Sequence, residues 1–448
     1  MQKKGEENTY GAVDGVVAVL FKSSFGPLGT VSVIEREDGY EQIYGDAGTT
    51  DTLREALYGG AQKLIACRVG NGGTAATVSL TAATGTVKME AKYPGKMEFS
   101  VTVREKLSDS TRKECIIYTG TQEFEKVAFP AGEDEAKALV DAFASSKNFT
   151  VTLEGEGAAG VVTNVSQTAF TTGTDPTVSN ADYSKALEEV EKYYFNTICI
   201  DTEDKGVQEL VSAFLDRIYE AGQFGIAVLA EKDTQDLEER MTAAAKFDKE
   251  NVVYVLNAKV KAKEVALEGY QVAALVAGMI AACPSNQSLT HTVIERYTEI
   301  EELLTNTQLE KAIQNGCMAL YYNADNKVSI DSAINTLIHP DENHDEGWKK
   351  IRRVKTRYEL LYRCNIQTDA MVGKVDNDVN GRATITAKLQ KICNDMVNEG
   401  KLVSATVKES ASPAAYGDSC WFDIDVIDKD SAERIYLTYY FRFSTSEE

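Results

Sequence analysis

The sequence predicts a multidomain protein of mixed α/β and α+β class, with a mostly parallel α/β core, an inserted mainly β domain and an α+β C-terminal domain. Three observations lead to this prediction. The chain has 448 residues, which is too long for one hydrophobic core. Apolar strand-like runs alternate with helical stretches before residue 74 and after residue 176, as in parallel sheets covered on both faces. Residues 74–176 instead are rich in threonine, valine and glycine, with stretches of period two.

The α/β core is predicted to comprise residues 22–73 and 177–340. Residues 1–11 are polar and those up to Phe21 are mostly apolar, so we assign residues 1–21 to a flexible arm and a first buried strand. Further strands are predicted at Phe195–Ile200, Gly225–Ala230, Val252–Leu256 and Met318–Tyr322, and helices at Val207–Tyr219, Thr234–Lys246, Tyr270–Ala282 and Thr307–Asn315. The helix at Tyr270–Ala282 is apolar on all sides, which predicts that it is buried.

The C-terminal domain is predicted to span residues 341–448 and to begin with an amphipathic helix. Its apolar face recurs at steps of three and four residues, at Trp348, Ile351, Val354, Tyr358 and Leu361. A second helix runs from about Asn380 to a glycine stop at Gly400. Two alternating strands are predicted after it, at Trp421–Ile427 and Ile435–Phe443.

The charge of the chain excludes several classes of partner. Its 47 basic and 69 acidic residues give a net charge of -22, which repels phosphate backbones and anionic lipids. We therefore expect neither nucleic acid binding nor membrane insertion. No apolar run reaches the roughly 18 residues of a membrane span, and the N-terminus does not resemble a signal peptide, so we expect a cytoplasmic location. The eight cysteines lack paired spacing and are expected to be reduced.

Candidate chemistry in the sequence is weak. No phosphate-binding loop is present, since the glycine cluster Gly70–Thr74 continues as a strand. Asp376–Gly381 matches half of a calcium-binding loop, but the twelfth position is Ala387 instead of glutamate, which favours a turn before a helix. His339–His344 contains the atom types for zinc at a spacing that better suits a solvated loop. We predict no cofactor, metal or catalytic residue.

Six cations occur within nine residues of the first C-terminal helix, namely Lys349, Lys350, Arg352, Arg353, Lys355 and Arg357. A solvated helix face would explain them. A docking surface for an acidic partner, including another copy of this chain, would explain them equally well, because opposite charges orient association. The sequence leaves both interpretations open.

The two chain ends also allow two interpretations. Each apolar stretch could complete the sheet of its own domain, or it could add a strand to the sheet edge of another copy. The candidate residues for such intersubunit arms are Tyr10, Val13, Val16 and Val17 at the N-terminus and Tyr436, Tyr439, Tyr440, Phe441 and Phe443 at the C-terminus.

A series of motifs resembles the contractile phage tail sheath proteins. Near the N-terminus these are the Phe25–Leu28 turn and the helix and strand from Leu57 to Val69. The similarity is firmest from residue 320 onward, where the family's motifs occur in the family's order. These motifs are Asn335-Thr336-Leu337, the basic helix, Gly373-Lys374-Val375, Asp376-Asn377 and Ile435-Tyr436.

This resemblance implies a structural subunit and not an enzyme. Such subunits stack as hexameric rings around a tail tube and contract without nucleotide. The partners implied are other copies, the tube protein, and baseplate and terminator proteins, in a virion tail or tail-like particle assembled in the bacterial cytoplasm. The inserted domain would lie outside and the C-terminal domain would face the tube, with Lys349, Lys350, Arg352, Arg353 and Arg357 as candidate contacts to the tube or a neighbour.

Two alternatives remain at this stage. The protein could be another structural component of the tail or baseplate. It could also be an α/β enzyme whose active site lies near the carboxyl ends of the parallel strands.

Overall fold

The computed structural model describes residues 14–36, 39–46, 48–257, 259–342 and 345–442. The helices in these residues are α1 (Glu41–Tyr44), α2 (Asp51–Tyr58), α3 (Glu135–Ala142), α4 (Asn180–Val190), α5 (Lys205–Glu220), α6 (Leu237–Ala245), α7 (Gly269–Ala282), α8 (Asn306–Gln314), α9 (Ile351–Asp369) and α10 (Val379–Asn398). A short 3-10 helix, Glu346–Lys349, precedes α9.

The strands in the same residues are β1 (Val16–Phe21), β2 (Val31–Glu35), β3 (Lys63–Arg68), β4 (Ala75–Pro94), β5 (Ser100–Lys106), β6 (Asp109–Thr119), β7 (Gln122–Pro130), β8 (Phe149–Val162), β9 (Val165–Ala169), β10 (Thr197–Ile200), β11 (Ile226–Ala230), β12 (Val252–Val255), β13 (Val260–Ala262), β14 (Val265–Leu267), β15 (Glu299–Ile300), β16 (Cys317–Met318), β17 (Leu320–Tyr322), β18 (Val328–Ile330), β19 (Leu402–Glu409) and β20 (Phe422–Asp428).

A seven-stranded sheet forms the centre of the molecule, in the order β16-β12-β11-β10-β1-β3-β2. All its strands are parallel except β2, which joins the edge in the antiparallel direction. Alternate residues of β1 point to opposite faces, where one core includes residues of α2 and α7 and the other includes residues of α4 and α5. The predicted α/β class is confirmed, and the apolar helix α7 is buried as expected.

Residues 75–169 form a separate β unit between β3 and α4, with a four-stranded sheet, β7-β6-β5-β9, and a long pair, β4-β8. The chain enters and leaves this unit side by side, because Asn71 pairs with Thr177 and Thr74 pairs with Thr174. Phe25 follows β1 yet belongs to the core of the β unit, with its ring centroid 5.2 Å from that of Phe99. This side chain therefore joins the two units.

Helix α9 connects the central core to a smaller C-terminal core. Ile351, Val354 and Tyr358 pack into the central core, whereas Leu360 and Cys364 pack against α10 and the β19-β20 pair. The acidic turn before α10 is a helix cap, because the Asp378 carboxylate accepts a hydrogen bond of 2.7 Å from the Gly381 N–H.

The structure corrects two predictions about the chain ends. Val16 and Val17 are core residues and not arm residues, because β1 pairs with β10 on one side and β3 on the other and leaves them 3% and 0% exposed. The predicted strand Ile435–Phe443 is also wrong for the single chain, since residues 435–442 have no regular secondary structure. A strand requires a partner. Tyr10, Val13 and Phe443 lie outside the described residues.

Candidate interaction site

The most unusual surface of the described chain is its C-terminal segment, defined here as residues 434–442. Tyr436, Tyr440 and Phe441 are 87%, 83% and 92% exposed, and Ile435, Leu437 and Tyr439 are exposed as well. Single exposed apolar residues are common, but a contiguous group of this size marks an interaction site. The geometry thus brings together the C-terminal candidates from the sequence, with Phe443 outside the described residues.

The basic face of α9 holds the residues that lead into this segment. We call these residues, Asp428–Glu433, the acidic segment. Arg353 donates two hydrogen bonds to the Asp428 carboxylate, at 2.8 and 2.7 Å, and Arg357 lies 3.3 Å from the same group. Lys350 Nζ donates to Asp430 at 2.7 Å.

Other contacts extend this electrostatic support. Arg352 donates a hydrogen bond of 2.7 Å to Ser431 Oγ, and Lys350 lies 3.5 Å from Glu433. The Arg357 guanidinium also stacks over Trp348, 3.9 Å from the ring centroid. The acidic segment is thereby fixed to α9 at several points.

The structure therefore shows that much of the basic face is occupied by the chain itself. Lys350, Arg352, Arg353 and Arg357 bind the chain's own acidic segment, and Lys349 is half-buried, which lowers its pKa. The interpretation as a fully solvated face is thus wrong for these residues, whereas a contact of the face with a tube or a neighbour stays a prediction. The sequence does not reveal this pairing, because the acidic partner lies about 75 residues further along the chain. The acidic residues Asp428, Asp430 and Glu433 were the available signal in the sequence.

The Asp428 carboxyl is the centre of this ion-pair network. Its burial alone would raise its pKa, but the hydrogen bonds from Arg353 and the charges of Arg357 and Arg353 outweigh burial and hold the pKa below its usual value. A lowered pKa in the folded state stabilises the protein above the unfolded-state pKa of about 3.9, and this stabilisation disappears as the pH falls through the folded-state pKa.

We expect Asp428→Asn to lower the free energy of unfolding at pH 7 and to have a diminishing effect below about pH 4. The reason is that acid protonates the wild-type carboxyl and removes the same charge that the substitution removes. Urea unfolding of both proteins between pH 7 and pH 3 measures this difference. Asp418→Asn, at an exposed position in the loop before β20, serves as the control. A difference that is constant with pH would contradict the ion-pair interpretation.

The β19-β20 pair lies directly before the acidic segment. One face of this antiparallel pair packs on α10, whereas Val403 and Ile427 are 57% and 58% exposed. The sheet has two strands in the described part of the chain, so each strand presents one edge without a strand partner there. Two-stranded sheets gain stability from additional strands.

The carboxyl ends of the parallel strands were the location predicted for an enzyme site. Asp201, which follows β10, is 2% exposed there. Its carboxylate accepts hydrogen bonds of 2.5 Å from the Lys22 N–H and from the Tyr183 hydroxyl, and a third from Thr49. This acidic group therefore ties β1, β10 and α4 together, which favours a structural role for it.

No helix in the part of the chain that the structure describes is both long and apolar enough to cross a membrane.

Comparison with known proteins defines the class of the fold. Residues 177–336 match the family model of the phage tail sheath protein central domain. The sheath tail protein of Desulfitobacterium hafniense superimposes with a TM-score of 0.72 at 21% identity, over 95% of this chain and 99% of that chain. The sheath tail protein of Listeria innocua superimposes with a TM-score of 0.69 at 22% identity, over 93% of this chain and 96% of that chain.

A contracted sheath structure and an uncharacterized protein also match the chain. The helical sheath of the anti-feeding prophage in its contracted state gives a TM-score of 0.56 at 11% identity and 97% coverage of both chains. The uncharacterized protein YqbK of Bacillus subtilis strain 168 is 27% identical over 261 residues, 56% of this chain and 53% of that protein. The match thus spans about half of that relative's length. The resemblance to contractile tail sheath proteins is confirmed, since the chain has their fold and residues 177–336 match the model of their central domain.

Proposed function

We propose that this protein is the sheath subunit of a contractile tail, in a phage, a prophage or a related tail-like particle. The observation that carries the proposal is the exposed aromatic C-terminal segment on a chain with the sheath fold. In a polymer such a segment can add a strand to the sheet of another subunit. The added strand then buries its aromatic side chains and forms main-chain hydrogen bonds with that sheet.

The acceptor that we propose is the β19-β20 sheet of another copy. The outer edge of β20 has no strand partner in the described residues, whereas Gln390 of α10 already bonds Val407 N–H and Ala405 O on the β19 edge. The sheet also has a partly apolar outer surface close to the start of the donor segment. The N-terminal residues before Asp14, including Tyr10 and Val13, would form a second link of the same kind. Each subunit would then be tied to neighbours through both of its ends.

The proposed mechanism is contraction without nucleotide or catalysis. Subunits would stack as hexameric rings around a tube and move between two lattices as nearly rigid bodies, linked throughout by the arms. The tight cores of the central and β units support rigid-body motion. The tube protein, baseplate and terminator would be the other partners, and the β unit would lie on the outer surface.

Negative-stain electron microscopy of the purified protein at high concentration, alone and with its cognate tube protein, tests the proposal. Hollow striated cylinders are the expected result. Dispersed particles in both samples would overturn it and favour a baseplate component, which the shared sheath fold also permits.

A further inference from the structure

The start of the described chain is held by the side of α9 that faces away from the acidic segment. Lys355 Nζ donates hydrogen bonds to the carbonyl oxygens of Ile280, at 2.6 Å, and Ala281, at 3.4 Å, where α7 ends. The Gly15 N–H donates to the same Ala281 oxygen at 2.9 Å. The Asp14 carboxylate lies 3.9 Å from Lys355 Nζ.

Gly15 has a backbone conformation that residues other than glycine rarely adopt. Its φ of +89° is in the region that favours glycine, and a Cβ atom there would lie 2.9 Å from Gln62 Cγ. The chain therefore turns sharply at Gly15 as it enters β1. Asp14 is placed against α9 by this turn, beside a cavity of about 30 Å³ that Lys355 and Glu359 also line.

A buried charge network continues along the same side of α9. Glu359 is 7% exposed and accepts from Lys401 Nζ at 2.7 Å and from Ser285. Arg363 forms two hydrogen bonds with Glu399, at 2.8 and 2.9 Å. Lys355, Glu359 and Arg363 recur every four residues, so they form one row along the helix.

The acidic segment is bound by a different row of the same helix. Arg353 and Arg357 are each two positions from Lys355, which corresponds to about 200° around an α-helix. The two rows therefore lie on nearly opposite sides of α9. Buried ion pairs add little net stability, but removal of one partner leaves an uncompensated buried charge and is strongly destabilising.

We propose that α9 is the common anchor of both chain ends. Lys355 on one row contacts the turn into β1, through its ion pair with Asp14 and the Ala281 oxygen that it shares with the Gly15 N–H. Arg353 and Arg357 on the opposite row hold the acidic segment at Asp428. Both chain ends are thereby attached to the same helix. A force that acts on one end would be transmitted to the other end through α9. This inference rests on the proposed function in one respect, namely that the two chain ends link neighbouring subunits. The anchoring itself can be tested on the isolated subunit.

The test is hydrogen-exchange mass spectrometry of the isolated full-length protein with the substitution Arg353→Asp. We expect exchange in the peptide 428–434 to accelerate roughly tenfold at Lys429, whose N–H donates to the Lys401 carbonyl oxygen at 3.1 Å, next to the lost charge-assisted pair. A shared anchor also predicts a severalfold acceleration in the peptide that contains Asp14 and Gly15, because α9 is loosened as a unit. The double variant Arg353→Asp, Asp428→Arg should restore slow exchange at both ends.

Lys388→Asp is the matched control, since it makes the same charge change at an exposed position of α10. It should leave both ends unchanged. Faster exchange at residues 428–434 with an unchanged Asp14 peptide would overturn the shared anchor, as would no change at residues 428–434. If Arg353→Asp unfolds the protein, the same exchange measurement is made with Arg353→Gln, which removes the positive charge without introducing a negative one. Failure of the wild-type protein to form cylinders would refute the proposed function without affecting this result.

Discussion

Truncation after Arg434 should give a folded protein that no longer polymerises. The deletion removes Ile435–Glu448, of which the described residues are highly exposed. Loss of exposed residues changes the free energy of unfolding by less than about 0.5 kcal/mol. Loss of a donated strand instead removes the main-chain hydrogen bonds that would link neighbouring subunits. Thermal unfolding followed by circular dichroism measures the first effect, and sedimentation with electron microscopy measures the second.

A variant of unchanged length tests whether assembly requires the aromatic side chains or only the presence of the C-terminal segment. We expect replacement of Tyr436, Tyr439, Tyr440 and Phe441 by serine to abolish cylinders nearly as completely as truncation, because burial of large aromatic side chains drives association. Deletion of Met1–Tyr10 should likewise block assembly. Cylinders like those of the wild type after either truncation would show that the arms are dispensable.

Substitution of Phe25 by alanine should cause a large loss of stability. The ring is 1% exposed, and its centroid lies 5.5 Å from that of Tyr93 and 5.6 Å from that of Phe124. Removal of a buried phenylalanine typically costs about 3–5 kcal/mol, from lost burial and from the cavity that remains. Because Phe25 extends from the α/β core into the β unit, we expect the β unit to lose its fixed position first. Urea unfolding measures the total cost.

Leu107→Ala provides the comparison for Phe25→Ala within the same unit. Leu107 is 93% exposed, so its truncation should change the unfolding free energy by less than about 0.5 kcal/mol. Similar losses in the two variants would contradict the role of Phe25 as the residue that joins the units.

Much of the fold could be predicted because local patterns determined it. The strands β10, β11 and β12 and the helices α5 and α7 follow from apolar runs and helical periodicity. Helix α4 and strand β19 were missed, although the alternation in Leu402–Glu409 was readable. The place of β1 in the interior of the sheet was also missed, because strand order depends on contacts between distant residues.

The candidate site was predictable in part. An exposed aromatic terminus can be recognised from composition, and the candidates Tyr436, Tyr439, Tyr440 and Phe441, which the structure describes, are exposed. The partners of the basic face could not be recognised in this way. A row of cations on a helix has the same pattern whether it faces water, another protein or an acidic segment of its own chain. Only the tertiary fold shows that Arg353 faces Asp428.

Hydrogen exchange of residues 435–442, compared between the isolated subunit and the polymer, tests the central claim most directly. If these residues are donated as a strand to another copy, their amides should exchange rapidly in the isolated subunit and at least about a hundredfold more slowly in the polymer, since ladder hydrogen bonds protect them. Equally rapid exchange in both states would contradict the claim that the C-terminal segment links the subunits.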